Sequence, residues 1–517
     1  MQSNRSGVWL TLGCFLLGGC TTYAPITRKS QLANPDMTGE IVVLTRDGTK
    51  YRFKNYLLKD SVLLGGGYIE SDSMKDFSGN LALSDIAYIQ KQQPSSSKTI
   101  IGVGAVTAFV IMAGVQLGES SQGTLSTNLA YHYPITYGGS GHGSCPYIYS
   151  WDGVSYHFES ETFAGSVFRG AERSSFDVLS SLRAVDGVCR LRITNEREES
   201  EYTNRVALYA VDGPEEKRIV PDSRGSMHTI GKVASPVSCS DRDGHNLLPL
   251  ISRADGVYWE SSLRSKDVSL RENIRDTIFL EFTKPANASK VKLLVRGTNT
   301  ELGAFAFHKL FSLRGPSLLD WYRTLESDPD ESRRFISFMM REGMLHVNLR
   351  QGNAWVEKAA YADVGPMITK EQVVILDVND DGGDILKVAL VSTADLWRID
   401  RIAMDYSEDQ PVIVHELPVL SAVDQSGNDV APLLSQVDNR YYSTVPGQSA
   451  DLTFRDVPTV AGRTRTYIVS SRGFYHLWTA PGPADQRDLV QKILAEPGYG
   501  ATLYLPTWKN LQTSDHQ

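Results

Sequence analysis

The chain has little cysteine. Five occur in 517 residues, at positions 14, 20, 145, 189 and 239, too few for a fold held by a disulfide framework. No C-x-x-C, G-x-S-x-G, H-E-x-x-H or phosphate-loop motif occurs, so the best-marked redox, serine-hydrolase, zinc-peptidase and nucleotide-hydrolase classes lack their signatures. Basic excess is missing as well. Lys and Arg number 52 against 60 Asp and Glu, a formal net charge of −8, which argues against nucleic acid or an anionic lipid surface as the main partner. With 41% hydrophobic and 22% charged residues, the chain has the composition of a folded globular protein long enough for two or three domains.

What is there begins with an apolar run. "VWLTLGCFLLGGC", residues 8–20, follows a single positive charge, Arg5, and is short for a membrane span, so it reads as the n- and h-regions of a secretory signal. Leu17-Gly18-Gly19-Cys20 resembles the lipobox of bacterial lipoproteins. That resemblance implies removal of residues 1–19 and acylation of Cys20. Thr21 stands where inner-membrane lipoproteins of enteric-type bacteria carry Asp. By the same resemblance the destination is the outer membrane, on its periplasmic face or at the cell surface. Several acyl chains on one cysteine hold far more firmly than one. Residues 20–37 read as a tether.

Cys14 leaves with the signal, and Cys145, Cys189 and Cys239 allow at most one intramolecular pair. Cys189 alternates with Leu191 and Ile193 in "VCRLRI" and is expected to face a core, whereas Cys239, in the polar "SPVSCSDRDGHN", is expected to be exposed. Nothing in the sequence selects a pairing.

The rest is expected to be mainly β. Residues 38–93 are short apolar strands broken at Asp47-Gly48 and at Gly65 to Gly67, a pattern that predicts a small barrel similar to SH3-like or Sm-like barrels, closed to hide its edges. Within residues 94–120, "TIIGVGAVTAFVIMAGVQLG" carries no charge over residues 99–118 and is long enough to cross a bilayer core. A span of the inner membrane would set Lys91 and Lys98 on the outer flank, against the positive-inside bias. The preferred reading is a hydrophobic helix packed between protein surfaces, with contact with or passage through the outer membrane and an inner-membrane span as the alternatives. Residues 121–144 form a Gly/Ser-rich linker. Alternating strands at hairpin spacing then predict a β-sandwich over 145–300 and a second over 346–480. Between them 301–345 has helical periodicity, with Ser327 as the N-cap before Pro329. Residues 481–517 form a C-terminal segment with a short helix.

"CPYIYSWDG", "ITNEREESEYTN", "WRIDRIAMDYS" and "SSRGFYHLW" resemble segments of large bacterial envelope proteins in which a small barrel and a hydrophobic Gly-rich stretch precede a domain of this kind. The resemblance implies architecture and address. It carries no catalytic residue across.

Candidate chemistry is sparse. Asp377, Asn379 and Asp381 alternate ahead of Gly382 and Gly383 as in a calcium loop. The pattern departs from the common versions: Val388 stands where a twelfth-position Glu would, and Asp384 comes one residue early. A polar hairpin turn explains the stretch equally well. Apart from calcium, no cofactor is expected. Glu159 and Glu161 would share one strand face, as a glycosidase carboxylate pair could, and Glu196, Glu198, Glu199 and Glu201 read as a solvated loop. Two function classes follow. One is a lipid-anchored, non-catalytic binding or scaffolding protein of the envelope with a protein partner. The other is a carbohydrate-binding or carbohydrate-active surface lipoprotein, suggested by 8 Trp and 23 Tyr, whose rings can stack on sugars.

Overall fold

A computed structural model describes residues 21–25, 41–45, 49–59, 62–69, 75–82, 85–94, 146–262, 268, 271–286, 288–378 and 383–514. They are mainly β, arranged in several sheets. The chain divides after Thr136 into two units.

In the first unit six antiparallel strands form one sheet in the order Thr21–Pro25, Ile86–Pro94, Ile41–Thr45, Lys50–Lys59, Val62–Ile69 and Lys75–Ala82. Alternation places Ile41, Val43, Phe53, Leu63 and Ile86 on one buried face. Phe77 packs edge-on against Phe53, with ring centroids 5.5 Å apart. Gly67 has a steric reason: a Cβ there would stand 1.7 Å from the Arg52 carbonyl oxygen. The strand Thr21–Pro25 falls inside the stretch expected to be a tether. Its sequence, TTYAP, has no apolar alternation that would have marked it. The hydrophobic run 99–118, the linker and Cys145 lie outside the described residues.

The second unit holds two pairs of sheets, each pair enclosing a core. One pair joins a sheet ordered Val419–Asp424, Ser449–Arg455, Val188–Thr194, Tyr147–Trp151, Tyr156–Glu161 to a sheet ordered Ile413–Glu416, Glu199–Pro214, Arg463–Leu477, Arg173–Val178. Ile148, Cys189, Leu191 and Ile193 meet Val206, Leu208, Ala210 and Val469 between them. The other pair joins Ser238–Asp241, Arg275–Thr283, Ile385–Thr393, Leu345–Gln351, Ala354–Tyr361 to Trp259–Glu260, Trp397–Asp405, Lys290–Asn299, Lys370–Asp377. Its core sets Ile278, Leu280, Val388 and Leu390 against Leu293, Val295, Ile399 and Met404.

These pairs do not follow one another along the chain as the ranges 145–300 and 346–480 would require. The first is built from residues 147–214 and 413–477, and the second is inserted between them at 238–405. The cause is a long-range pairing. Glu199–Pro214 runs antiparallel to Arg463–Leu477 over its whole length, from Glu199 opposite Leu477 to Pro214 opposite Arg463, and local alternation carries no information about such partners.

Helices Leu302–Ser312, Leu318–Ser327 and Pro329–Gly343 fill the expected helical stretch, and Arg487–Ala495 and Tyr499–Ser514 follow near the C-terminus. With Phe163, Phe168, Tyr475 and Leu477 they surround an aromatic core of Phe311, Trp321, Tyr322 and Phe335, in which Phe311 and Tyr322 stack at 4.9 Å and 13°. The N-cap of Pro329–Gly343 is Asp328, not Ser327. The Asp328 carboxylate accepts from Asp330 N and Glu331 N, at 2.8 and 3.3 Å, whereas the Ser327 hydroxyl donates back to Arg323 O. Only one residue separates the two helices, so Ser327 is still inside the preceding turn. Among the described residues no helix is long and apolar enough to cross a membrane.

Candidate functional site

Strand Tyr156–Glu161 runs into a loop, residues 162–172, whose backbone is strained at one point. Phe163 has φ +34°, a conformation that costs a bulky L-residue about 1–2 kcal/mol. Its surroundings impose it. The ring is completely buried against Gly473, where a Cβ would come within 2.8 Å of it. The Phe163 N–H donates to Ser175 Oγ at 2.8 Å, and the Gly165 N–H donates to the Tyr475 hydroxyl at 3.1 Å. Gly165, at φ +80°, then turns the chain so that Ser166 lines a cavity of about 300 Å³.

Helix Leu302–Ser312 supplies Leu302, Gly303, Ala306 and Phe307 to the wall, and helix Pro329–Gly343 supplies Ile336, Met339 and Met340. Polar groups enter at a few points. Glu172 accepts from Arg472 Nε at 2.9 Å and from the Tyr441 hydroxyl at 3.1 Å. Glu342 accepts from Arg275 Nη2 at 2.6 Å, Arg341 Nε at 2.7 Å and Gly498 N at 2.9 Å. Both carboxylates are therefore already served. Asp363 accepts from Gly365 N through Oδ1 at 2.8 Å. Burial pushes its carboxyl above the usual range, with the Gly365 N–H, Arg173 and Lys370 opposing. Arg173 donates Nη2 to the Asp363 carbonyl oxygen at 2.7 Å, while its buried Nε and the buried Ser166 Oγ have no hydrogen-bond partner.

This is the outline of a ligand pocket: concave, mostly apolar, with a few convergent polar groups. No histidine is among the described residues that line it. Elsewhere Ser155, His157 and Asp152 meet, but Ser155 Oγ and Asp152 Oδ2 both contact the same Nε2, at 3.1 and 2.6 Å. A relay needs both ring nitrogens. No family model matches the chain, and no match to it was found among curated proteins.

The residues singled out in the sequence lie elsewhere. Cys20, Asn379 and Asp381 are outside the described residues, and Asp377 ends its strand, exposed, 3.9 Å from Lys290 Nζ. Glu159 and Glu161 do not form an open pair. Glu159 accepts from Ser150 Oγ, Ser180 N and Ser181 N. Glu161 is fully buried, accepts from Met367 N at 2.8 Å and lies over Gly365, where a Cβ would stand 2.2 Å from its carboxyl carbon.

Of the acidic stretch, Glu196 and Glu198 are exposed, but Glu199 and Glu201 are buried at the start of strand Glu199–Pro214. Thr444 Oγ1 donates to Glu201 at 2.9 Å. Burial first, and then the neighbouring Glu199 charge, push the Glu201 carboxyl well up. Cys239 is buried rather than exposed, because Ser238–Asp241 pairs with Arg275–Thr283 and turns its thiol into the larger core. Cys189 faces its core as expected, and both thiols are free.

Two features went unread. Asp241, Asp243 and His245 bring ligand atoms within 4.8 Å of one another, a D-x-D-x-H spacing visible in the sequence, although Asp241 already caps the turn by accepting from the N–H groups of Asp243 and His245. The cavity had no signal at all, since its walls come from residues 164–173, 302–344, 363, 393–396 and 504.

Proposed function

We propose that the chain is an outer-membrane lipoprotein, anchored through acylated Cys20, that acts by binding rather than by catalysis, and that the cavity is its ligand site. The observation that carries this reading is the cavity of about 300 Å³ itself, walled mainly by apolar side chains of helices Leu302–Ser312 and Pro329–Gly343. A closed small barrel, the hydrophobic segment 99–118 as a helix, and two sandwich domains complete the architecture of the proposal. An envelope protein partner belongs to it, and nucleic acid does not. Calcium at Asp377, Asn379 and Asp381 remains a separate proposal, tested by calcium titration of wild type against Asp381→Asn.

The test fills the cavity. A Cβ at Gly303 would meet only Leu396 Cδ1, at an ordinary 3.7 Å, so Gly303→Leu projects a side chain into the space without a backbone clash. Wild type is expected to bind the apolar fluorophore N-phenyl-1-naphthylamine saturably, and Gly303→Leu to lose that binding at an unchanged melting temperature. Equal binding by both would refute the cavity as the site. For the anchor, Cys20→Ser is expected to leave an uncleaved precursor or release a soluble periplasmic form. Normal processing and retention in the outer membrane would refute it.

A second reading has an observation of its own. Tyr149, Trp151, Tyr156 and Phe158 stand half-buried on the outward face of strands Tyr147–Trp151 and Tyr156–Glu161, with Arg192 over the Tyr156 ring at 4.5 Å and paired to Asp451 at 2.7 Å. Aromatic rings beside charged hydrogen-bonding groups suit a glycan. The rings are tilted or edge-on to one another, at 45° and 63°, rather than coplanar, which makes this the weaker platform. Loss of polysaccharide binding in Trp151→Ala would favour it.

A further inference from the structure

We infer that the cavity takes an uncharged hydroxyl compound with an apolar body about the bulk of two fused rings, its hydroxyl hydrogen-bonded to Asp363 Oδ2. This rests on the cavity being the ligand site. Leu302, Ala306, Phe307, Ile336, Met339 and Met340 form a hydrocarbon wall, along which a sugar or nucleotide would find too few polar groups to replace its water. The size follows from the volume. An apolar cavity of about 150 Å³ takes one benzene, and this one, at about 300 Å³, has room for roughly twice that bulk.

The charges at the wall argue for a neutral ligand. Glu172 is held by Arg472, Glu342 by Arg275 and Arg341, and Arg173 gives Nη2 to the Asp363 carbonyl oxygen. An anion would be set beside Glu172, Glu342 and Asp363, and a cation beside Arg173, so an ion of either sign would leave water for a mostly apolar space that holds like charge. A polar group is answered at Asp363. Its Oδ1 accepts from the Gly365 N–H at 2.8 Å, whereas its Oδ2 has no hydrogen-bond partner among the described residues and is not sealed off as Ser166 Oγ and Arg173 Nε are. Gly165 leaves room in front of it, since a Cβ there would stand 3.6 Å from both Asp363 Oδ2 and Met339 Cε. A hydroxyl both donates and accepts, so it suits this oxygen whether the carboxyl is ionised or, as burial biases it, neutral.

The experiment is calorimetric titration of the full chain, stripped of bound lipid, at pH 7 with naphthalene, 2-naphthol, 2-naphthoate and 2-naphthylmethylammonium, which share one double ring and differ in the group it carries. One site is expected, severalfold tighter for naphthol than for naphthalene and at least tenfold tighter for naphthol than for either ion. Asp363→Ala should bring naphthol down to the affinity of naphthalene and leave naphthalene unchanged, while Gly303→Leu should abolish both. Should Asp363→Ala fail to fold, Asp363→Ser carries the same test, because its hydroxyl can still accept from the Gly365 N–H while Oδ2 is gone. Equal affinity for naphthol and naphthalene, an ion bound as tightly as naphthol, or a naphthol preference that survives both Asp363 variants would overturn the inference and leave the cavity reading standing. Failure of naphthol and naphthalene together, or binding that survives Gly303→Leu, would overturn the cavity reading itself.

Discussion

Lys370 Nζ lies 2.8 Å from Asp177 Oδ1, an ion pair that ties a strand of the inserted sheet pair to a strand of the pair that surrounds it in sequence. Both side chains are nearly buried, at 12% and 9% exposure. Lys370 also donates to the Glu161 carbonyl oxygen at 2.5 Å, and Ser160 Oγ donates to Asp177 Oδ2 at 2.6 Å. With every member partnered, the group acts as a fastener between the two bodies. Removing one charge strands the other, so Lys370→Met is expected to cost about 3 kcal/mol, read as a lower urea midpoint, and Asp177→Asn in the same chain to recover part of it. A single variant within about 0.5 kcal/mol of wild type would contradict this.

The buried pair Glu199 and Glu201 predicts a pH dependence with a definite sign. The Glu201 carboxyl is raised in the fold by burial and by Glu199, so the folded chain holds a proton that the unfolded chain releases near its ordinary value. Its contribution is fully present below about pH 4.3 and is lost as pH rises through the folded value. Glu201→Gln keeps the neutral form at every pH. Relative to wild type it is expected to gain stability steadily as pH rises from 5 to 8, and a difference that is flat with pH would count against the assignment.

Burial pushes the thiols of Cys189 and Cys239 up to about 12, and each sits in a core of its own. Neither is expected to react with iodoacetamide at pH 8 in the native protein, since both access and thiolate are lacking, and both are expected to react fully in guanidinium. Peptide mapping would decide. Rapid native labelling of Cys239 would return it to the exposed loop that its polar neighbours suggest.

Asp328 as N-cap predicts an asymmetry with its neighbour. Asp328→Ala is expected to cost about 1 kcal/mol and Ser327→Ala only a few tenths, measured by thermal unfolding. The reverse order would restore Ser327 as the cap.

The sequence made the local part of this legible. Alternation marked the strands around Cys189 and helical periodicity marked residues 301–345, whereas Gly65 to Gly67, expected to break two strands apart, lie inside the single strand Val62–Ile69, paired throughout with Lys75–Ala82. What stayed hidden was non-local. The polar run around Cys239 reads as loop because only one residue in two along a short strand faces inward, and Ser238 and Ser240 face the other way. Glu199 and Glu201 look solvated until the pairing of Glu199–Pro214 with Arg463–Leu477 covers them. The cavity is assembled by the same insertion, which brings Asp363 and Leu396 to a loop near residue 165.

The most direct test of the account is what the protein carries when isolated. The protein, purified without delipidation from the cells that make it, and its Gly303→Leu variant are extracted under native conditions, and the extracts are quantified by mass spectrometry. The account predicts close to one non-covalently held apolar molecule per wild-type molecule and almost none in Gly303→Leu. Equal yields from the two proteins, or a wild-type cavity that yields no apolar molecule and takes up none when N-phenyl-1-naphthylamine is supplied, would contradict it.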